Sequence, residues 1–314
     1  MLSQSITLVE SALPADRREA GLLLERLLPR TGGAIRLGIS GPPGVGKSTL
    51  IEQFGMFAVE RGRRVAVLAV DPSSRATGGS ILGDKTRMPR LALEPRAFVR
   101  PSPAGEHLGG VAQRTREALL LLEAAGFDFV MVETVGVGQS EVEVASMVDC
   151  FVLLAQPGAG DELQGIKRGI MEVADIVAVT KADGDQLPRA RSTLHDVSAA
   201  LRLMRPRHTA WAARGMLVSG LTGSGIAELF DAVMQHHEAL AGSELARLRA
   251  EQAVRWMWAQ IDDAVGAALR SHPKVAPILA SLESEVREGT LTPGRGAQRV
   301  LGAFGILFVD STAG

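Results

Sequence analysis

The sequence has very little cysteine and no excess of charge of either sign. Its 314 residues include one cysteine, Cys150, so the chain cannot form an internal disulfide or supply a cluster of thiolate metal ligands. Cys150 lies in the apolar run 148–155, where packing is its expected role. The 34 Lys and Arg against 35 Asp and Glu give a formal net charge of −1. This balance gives no electrostatic reason to expect nucleic acid or an anionic membrane as a partner.

Long apolar runs and biased segments are also lacking. No stretch approaches the ~18 consecutive apolar residues of a membrane-spanning helix. The N-terminus does not show the basic stretch and apolar run of a secretory signal, and no internal repeat or low-complexity tract is evident. We therefore expect a cytoplasmic protein that binds neither membrane nor nucleic acid.

Short apolar strands alternate with helices through the middle of the chain. The pattern predicts strands over 34–40, 64–70, 127–133, 149–155, 176–180 and 216–219, and helices over 48–60, 109–125, 185–203 and 225–240. Residues 73–103, rich in Gly, Pro, Ser and Arg, are predicted to form a long functional loop. Strands that are nearly all apolar indicate a mostly parallel sheet covered by helices on both faces, the α/β class.

Helical segments flank this core at both ends. Residues 1–30 carry leucines at helical spacing among charges. Residues 241–314 are helical and amphipathic and extend beyond the sheet. The predicted division is an N-terminal helical extension over 1–30, a sheet core over 31–240 and a C-terminal helical arm over 241–314.

The strongest motif follows the first strand. Residues 41–48 read Gly-Pro-Pro-Gly-Val-Gly-Lys-Ser, a complete P-loop pattern between a strand and a helix. Glycines let the backbone N–H groups turn toward phosphates, and the helix N-terminus adds partial positive charge. Lys47 is predicted to reach the β- and γ-phosphates, and Ser48 to offer its hydroxyl to Mg²⁺. The predicted nucleotide-binding residues here are Gly41, Pro42, Pro43, Gly44, Val45, Gly46, Lys47, Ser48 and Thr49.

Three carboxylates are candidates to complete a Mg²⁺ site, since this ion prefers oxygen ligands. Asp71 and Glu133 end predicted strands beside the P-loop, and Asp84 lies in the long loop. A capping role stays open for Asp71, which precedes a proline. Gly136, three residues after Glu133, is predicted to bring its backbone N–H to the γ-phosphate and to move on hydrolysis.

Two loops are predicted to select the base. Thr180-Lys181-Ala182-Asp183 follows a buried strand and matches the Asn-Lys-x-Asp motif of GTPases except at Thr180. Asp183 is expected to accept hydrogen bonds from guanine N1 and N2, and Lys181 to pack over the ring. An ordinary polar loop is the alternative. A second predicted guanine-contacting loop consists of Ser219, Gly220 and Leu221.

The residues that carry these signals resemble one family of proteins. The segments 38–49, 70–74, 78–88 and 132–141 are similar to those of the methylmalonyl-CoA mutase-associated G proteins, the MeaB/ArgK family, which includes the human cobalamin type A protein. The resemblance extends over essentially the whole chain. It implies a P-loop NTPase fold and a homodimeric protein with Mg²⁺-dependent GTPase activity. The segment after about residue 240 would be its dimerisation arm.

The resemblance also implies a partner and switch regions. Family members chaperone adenosylcobalamin-dependent methylmalonyl-CoA mutase, gating cofactor delivery and protecting the mutase. Related acyl-CoA mutases use similar chaperones, so they remain open as partners. In the family Asp71, Asp84 and Glu133 would fall in the Mg²⁺ and switch regions, and residues 156–167 would form a further switch. Thr180 departs from the family, whose members usually carry Asn there.

The catalytic assignment rests on charge and positioning, which phosphoryl transfer requires more than covalent chemistry. Lys47 is the first predicted catalytic residue. Asp84 is a candidate to orient the attacking water, and Lys167 to supply positive charge once a partner orders its loop. Intrinsic hydrolysis is expected to be slow. The six histidines are expected mostly at the surface or at helix ends rather than as ligands.

Three other functions stay open from the residues alone. A metal-insertion GTPase of the nickel-hydrogenase or urease type shares the core fold but usually carries Cys and His ligands near its switches. A P-loop kinase linked to amino-acid transport would need an acceptor pocket and a catalytic base. A structural dimer with a vestigial P-loop is disfavoured by the intact Lys47, Ser48 and Glu133.

Overall fold

The computed structural model describes residues 1–11, 13–71, 88–103, 108–134, 140–158 and 168–306. Within these ranges seven parallel strands form one sheet in the order β3-β2-β4-β1-β5-β6-β7. The strands are β1 (Ile35–Ser40), β2 (Val65–Asp71), β3 (Ala97–Pro103), β4 (Phe129–Thr134), β5 (Cys150–Ala155), β6 (Ile176–Val179) and β7 (Arg214–Leu217). The predicted P-loop NTPase class, with a mostly parallel sheet, is confirmed.

Helices precede the sheet, connect its strands and follow it. In chain order the described α-helices are α1 (Leu2–Glu10), α2 (Pro14–Leu27), α3 (Lys47–Glu60), α4 (Pro89–Leu93), α5 (Leu108–Ala124), α6 (Ser140–Ala145), α7 (Arg168–Met171), α8 (Leu187–Arg202), α9 (Ile226–Leu240), α10 (Ser243–Ser271), α11 (Ala276–Arg287) and α12 (Pro293–Phe304). Short 3-10 helices cover Leu28–Arg30 and Gly184–Gln186. The predicted N-terminal helices are therefore present.

Both faces of the sheet are covered, which explains why its central strands are mostly apolar. All six residues of β4 and all six of β5 are buried. Apart from Glu133 and Thr134 at the end of β4, their side chains are apolar. On one face α3 and α9 pack through Phe54 and Phe230, whose rings lie 5.9 Å apart and both contact Phe129. On the other face α1, α5 and α8 contribute buried residues, among them Ile6 and Val197.

The prediction of one long loop over 73–103 is wrong in its second half. Residues 89–93 form α4, and residues 97–103 form β3, which pairs only with β2 and so lies at the edge of the sheet. Pro101 and Pro103 lack the N–H that an interior strand would need, and an edge position tolerates this loss. Residues 72–87 lie outside the described part of the chain.

The described chain divides into two units, Met1–Ala253 and Val254–Gly314. The boundary between these units falls inside α10, and the predicted division at 30/31 and 240/241 stays a prediction. In the second unit α10 carries exposed apolar side chains, including Met257, Trp258 and Ile261. The role of this unit as a dimerisation arm stays a prediction.

None of the described helices is long and apolar enough to cross a membrane.

Gly225 gives a test of how β7 is joined to α9. Its φ is +76° and a Cβ there would collide with the carbonyl oxygen of Leu217. We expect Gly225→Ala to lower the free energy of unfolding by about 2–4 kcal/mol, since it combines backbone strain with a steric clash. Gly223→Ala is the matched control: its φ is +79° but no atom lies within 4 Å of its Cβ, so about 1 kcal/mol of strain is expected. Urea unfolding of both variants measures the difference, and equal losses would contradict the clash.

Candidate nucleotide-binding site

The P-loop connects the end of β1 to the start of α3, at the edge of the sheet where the parallel strands end. Gly44 and Gly46 have φ of +77° and +94°, the left-handed region that glycine adopts without steric cost. The Val45 N–H donates to the Pro42 carbonyl 3.3 Å away. A Cβ at Gly41 would lie 2.8 Å from the Leu154 carbonyl oxygen. The sequence pattern therefore corresponds to a tight loop that passes close to β5.

Lys47 folds back over this loop. Its Nζ donates to the carbonyl oxygen of Gly41 at 2.5 Å and to that of Pro42 at 3.2 Å. The ammonium is therefore held at the loop by backbone acceptors, beside the first turn of α3. Its contact with the β- and γ-phosphates stays a prediction.

Ser48 and Glu133 come together as predicted for a Mg²⁺ site. The pairing of β4 with β1 places Glu133 opposite Ile39, one residue before the end of β1. Ser48 Oγ lies 3.4 Å from Glu133 Oε1, and Glu133 is only 4 % exposed. Beside them Thr134 Oγ1 donates to Ser40 Oγ at 2.6 Å, fully buried. This bond ties the ends of the two strands together under the loop.

The remaining predicted phosphate-side residues are only partly described. Asp71 ends β2, whose neighbour Val70 pairs with Thr134, so its backbone lies at the same edge of the sheet as Glu133. Its side chain is not described. Asp84, Gly136 and Lys167 lie outside the described residues, and their predicted roles stay predictions.

The two predicted base loops are joined to each other. The Ala182 N–H donates to the Val218 carbonyl at 3.1 Å. The Ser219 hydroxyl donates to Asp183 Oδ2 and accepts from the Thr222 N–H at 3.1 Å. The structure therefore fixes the orientation of the Asp183 carboxylate through the second loop, which the sequence alone did not show.

The other residues of these loops differ in exposure. Lys181 is exposed and has φ of +52°, the only positive φ of a non-glycine residue in the described ranges. Leu221 is 78 % exposed. A Cβ at Gly220 would lie 3.0 Å from the Leu50 backbone nitrogen, so the loop packs directly against the first turn of α3. The second base loop is thus built directly onto the P-loop helix.

Sequence reasoning missed the role of Thr180, which it treated only as a departure from a motif. Thr180 is 3 % exposed, and its hydroxyl donates to the Val45 carbonyl at 2.8 Å, with the Ala155 carbonyl oxygen 3.2 Å away. It therefore links β6 to the P-loop. Gln156 makes a second missed contact, from Nε2 to the Pro43 carbonyl at 3.2 Å.

Removing the Thr180 hydroxyl is expected to weaken nucleotide binding. Thr180→Val keeps the side-chain shape but leaves the Val45 carbonyl without this buried donor, a loss of about 1–3 kcal/mol. We expect about a tenfold weaker affinity for GDP by calorimetry, about 1.4 kcal/mol. Thr180→Ser keeps the hydroxyl and should bind within about twofold of the unchanged protein. Equal affinity in the valine variant would mean that the link does not hold the loop.

Two histidines are exceptions to the general expectation of a surface or helix-end position. His208 is 5 % exposed and His236 is completely buried, because both line a polar cluster at the opposite edge of the sheet. His195 is exposed, His237 and His272 are partly buried, and His107 lies outside the described residues. Cys150 is buried at 1 % exposure as predicted, and burial raises the pKa of its thiol.

Comparison with known proteins also assigns the chain to the GTPases, over nearly its whole length. Residues 2–274 match the profile of the methylmalonyl-CoA mutase-associated GTPase MeaB. A probable GTPase of Mycobacterium tuberculosis is 54% identical, with 96% of this chain and 90% of that protein covered. The mitochondrial methylmalonic aciduria type A homolog of Mus musculus is 47% identical over 96% of this chain and 76% of its own. The Escherichia coli GTPase ArgK is 45% identical, at 95% and 91% coverage.

Solved structures agree on the fold. The crystal structure of an LAO/AO transport system kinase superposes with a TM-score of 0.78 and is 38% identical, covering 96% of this chain and 92% of its own. HypB of Helicobacter pylori, solved in complex with nickel, has a TM-score of 0.51 and is 18% identical, covering 72% of this chain and 97% of its own. The second likeness shows the fold alone. With its intact P-loop and paired base loops, the chain belongs to the MeaB family of methylmalonyl-CoA mutase-associated GTPases.

Proposed function

We propose that this GTPase is Mg²⁺-dependent and acts as a chaperone of adenosylcobalamin-dependent methylmalonyl-CoA mutase or a related acyl-CoA mutase. It gates delivery of the cofactor and protects or reactivates the mutase. It works as a homodimer through its C-terminal helices, in the cytoplasm. The family's description as mutase-associated and the relatives named for methylmalonic aciduria support the partner. The exposed apolar side chains of α10 support the dimer.

The observation that carries guanine recognition is the junction of three loops. Thr180 joins the first base loop to the P-loop, and Ser219 holds the Asp183 carboxylate. A carboxylate fixed in this way can accept from guanine N1 and N2. Adenine offers no such pair of donors, so a site built to accept them rejects it strongly. Lys181 is exposed beside this carboxylate and can cover the ring with its stem.

The residues at the phosphate end fit Mg²⁺. A serine hydroxyl and a buried carboxylate 3.4 Å apart are the hard oxygen donors that this ion prefers, and Ser48 and Glu133 would hold it. When bound, the ion neutralises charge on the phosphate oxygens. Lys47 adds a positive charge at the loop, and the P-loop amides donate to the same oxygens. Positioned charge of this kind is the main contribution of a protein to phosphoryl transfer.

Coupling to the partner is proposed to pass through the segment 156–167. Gln156 begins it and donates to the P-loop carbonyl of Pro43. Gly158 donates its N–H to Thr193 Oγ1 on α8 at 3.0 Å. The start of the segment is therefore attached to the loop that would contact the phosphates. Within the proposal Asp84 orients the attacking water and Lys167 adds charge when the partner is bound.

Calorimetric titration with GDP and then ADP, each in Mg²⁺, tests the nucleotide proposal. We expect tight binding of GDP and negligible binding of ADP. Equal affinity, or a preference for ADP, would overturn guanine selection by Asp183. Omitting Mg²⁺ from a GTP hydrolysis assay should abolish turnover, and unchanged turnover would contradict the ion's role.

The partner is tested separately. Purified methylmalonyl-CoA mutase is mixed with this protein, loaded either with GDP or with a non-hydrolysable GTP analogue, and analysed by size-exclusion chromatography. We expect a complex whose affinity depends on the nucleotide, and faster GTP hydrolysis in it. Transfer of the γ-phosphate to an added amino acid or protein, instead of to water, would favour the kinase alternative.

A further inference from the structure

A second polar cluster lies at the opposite edge of the sheet from the P-loop, where the strands begin. Cys150 is the first residue of β5, Asp175 directly precedes β6, and His236 lies on α9. One ligand atom from each of the three lies within 4.8 Å of the others, and all three residues are buried. His208, between α8 and β7, adds a fourth side chain: its Nε2 lies 3.3 Å from Asp175 Oδ1. Nothing in nucleotide binding requires these residues.

Hydrogen bonds fix the orientation of the Asp175 carboxylate. Its Oδ2 accepts from the Phe151 N–H at 2.8 Å and from Arg207 Nη1 at 3.0 Å. Its Oδ1 is therefore turned toward the two imidazoles, 3.3 Å from His208 Nε2 and 3.6 Å from His236 Nε2. This arrangement holds one carboxylate oxygen rigidly and presents the other to the cluster.

The atoms that face the cluster lie close to one another but make no hydrogen bond of acceptable geometry in the described part of the chain. They are Asp175 Oδ1, His208 Nε2 and His236 Nε2, and the other ring nitrogen of His236, Nδ1, also has no hydrogen bond. Leaving a buried polar group unsatisfied costs about 1–3 kcal/mol. Such groups in native proteins call for a specific explanation, of which a bound ion is one. Three convergent atoms without a well-formed hydrogen bond, all in residues less than 9 % exposed, therefore point to a ligand.

We propose that this cluster is a structural Zn²⁺ site with Cys150 Sγ, Asp175 Oδ1, His208 Nε2 and His236 Nε2 as its four ligands. Bonds of about 2.0–2.3 Å in a tetrahedron place neighbouring ligand atoms about 3.3–3.8 Å apart. The two measured separations, 3.3 and 3.6 Å, already match this spacing. The Cys150 sulfur lies within 4.8 Å of the ligand atoms of Asp175 and His236, and His208 joins the group through its 3.3 Å approach to Asp175 Oδ1.

The ligand types and the surrounding charges select zinc. One thiolate, one carboxylate and two imidazoles suit zinc rather than Mg²⁺ or Ca²⁺, which prefer oxygen alone. The thiolate and carboxylate offset the ion's two charges, and binding releases the thiol proton to solvent. Arg207 on Asp175 and Glu244, whose Oε1 lies 3.9 Å from His208 Nδ1, act as outer partners that orient the ligands.

Such a site would brace, from the opposite edge of the sheet, the strands that carry the base-recognition loops. It connects β5, the start of β6, the segment that leads into β7, and α9. Of these elements, β6 and β7 lead into the loops that hold Asp183 and Ser219. Since all four ligands come from the protein, the site is closed, which is typical of structural rather than catalytic zinc.

The test measures metal in the full chain, purified without a histidine tag and saturated with GDP and Mg²⁺ so that the nucleotide site is filled. Elemental analysis after extensive dialysis should give about one zinc per chain, as one tetrahedral site requires. Protein reconstituted with Co²⁺ should show a thiolate-to-cobalt charge-transfer band. Cys150→Ser should lose that band, and His236→Gln should lose most of the zinc. The matched control His195→Gln alters an exposed histidine and should retain both.

Two results would overturn the proposal. The first is unchanged protein that binds GDP, and so is folded, but holds no zinc after incubation with Zn²⁺ and shows no rise in Tm. The second is full zinc content in His236→Gln, which would place the ion elsewhere. Should the variants fail to fold, the cobalt spectrum and the zinc-dependent Tm of the unchanged chain still decide the question, since only a cysteine ligand gives the charge-transfer band.

Discussion

Lys47→Ala is expected to lower kcat/KM for GTP hydrolysis at least a thousandfold, about 4 kcal/mol of transition-state stabilisation. The Lys47 ammonium lies over the P-loop, 2.5 Å from the Gly41 carbonyl, where the phosphate chain would bind. Charge on the transferred phosphoryl group must be stabilised by groups already in position, and no second lysine occurs in the motif. Radiolabelled phosphate release in single-turnover and steady-state assays gives both kcat and KM.

A matched control separates the local from the general loss of charge. Lys274→Ala removes an exposed lysine of the second unit and should leave hydrolysis unchanged. GDP affinity of Lys47→Ala should fall about ten- to a hundredfold, since one charge-assisted contact to the β-phosphate contributes about 1.5–3 kcal/mol. Wild-type turnover in Lys47→Ala would show that the P-loop is not the catalytic site.

The core of the site was predictable because its requirements are local. A strand, glycines that adopt positive φ and a lysine at the start of a helix are adjacent in sequence, so residues 41–48 predicted the loop that the structure contains. The strands that carry Glu133 and precede Thr180, β4 and β6, were predicted from apolar runs of four to eight residues. Their boundaries differ from the predicted ones by two residues or fewer, as strand ends usually do.

The parts that could not be predicted depend on contacts between distant residues. The Thr180 bond to Val45 joins positions 135 apart in sequence. The spacing of residues along the sequence does not predict which polar groups contact each other in the folded chain. β3 was missed because its prolines contradict an interior strand, whereas its place at the sheet edge is set by tertiary pairing. For His236 a signal was present: it follows Leu229 and Val233 at helical spacing on the buried face of α9.

Asp183→Asn is expected to change which base the protein binds. An amide in place of the carboxylate still accepts from the Ser219 hydroxyl but offers a donor where guanine also has donors. We expect GDP affinity to fall at least a hundredfold, about 2.7 kcal/mol. Xanthosine diphosphate has a carbonyl oxygen in place of the guanine 2-amino group, so it should bind the variant more tightly than GDP does. Calorimetry with GDP, xanthosine diphosphate and ADP measures this change in base preference.

The reversal of preference is the informative part of this experiment. A variant that was merely destabilised would lose affinity for every nucleotide alike, whereas a changed hydrogen-bond pattern should weaken GDP and strengthen xanthosine diphosphate. Asp185→Asn, two residues further along the same loop and exposed, removes the same charge without touching the base and should keep the GDP preference. If Asp183→Asn retained that preference as well, the base would be read by another group, and the junction of Asp183 with Ser219 would have only a structural role.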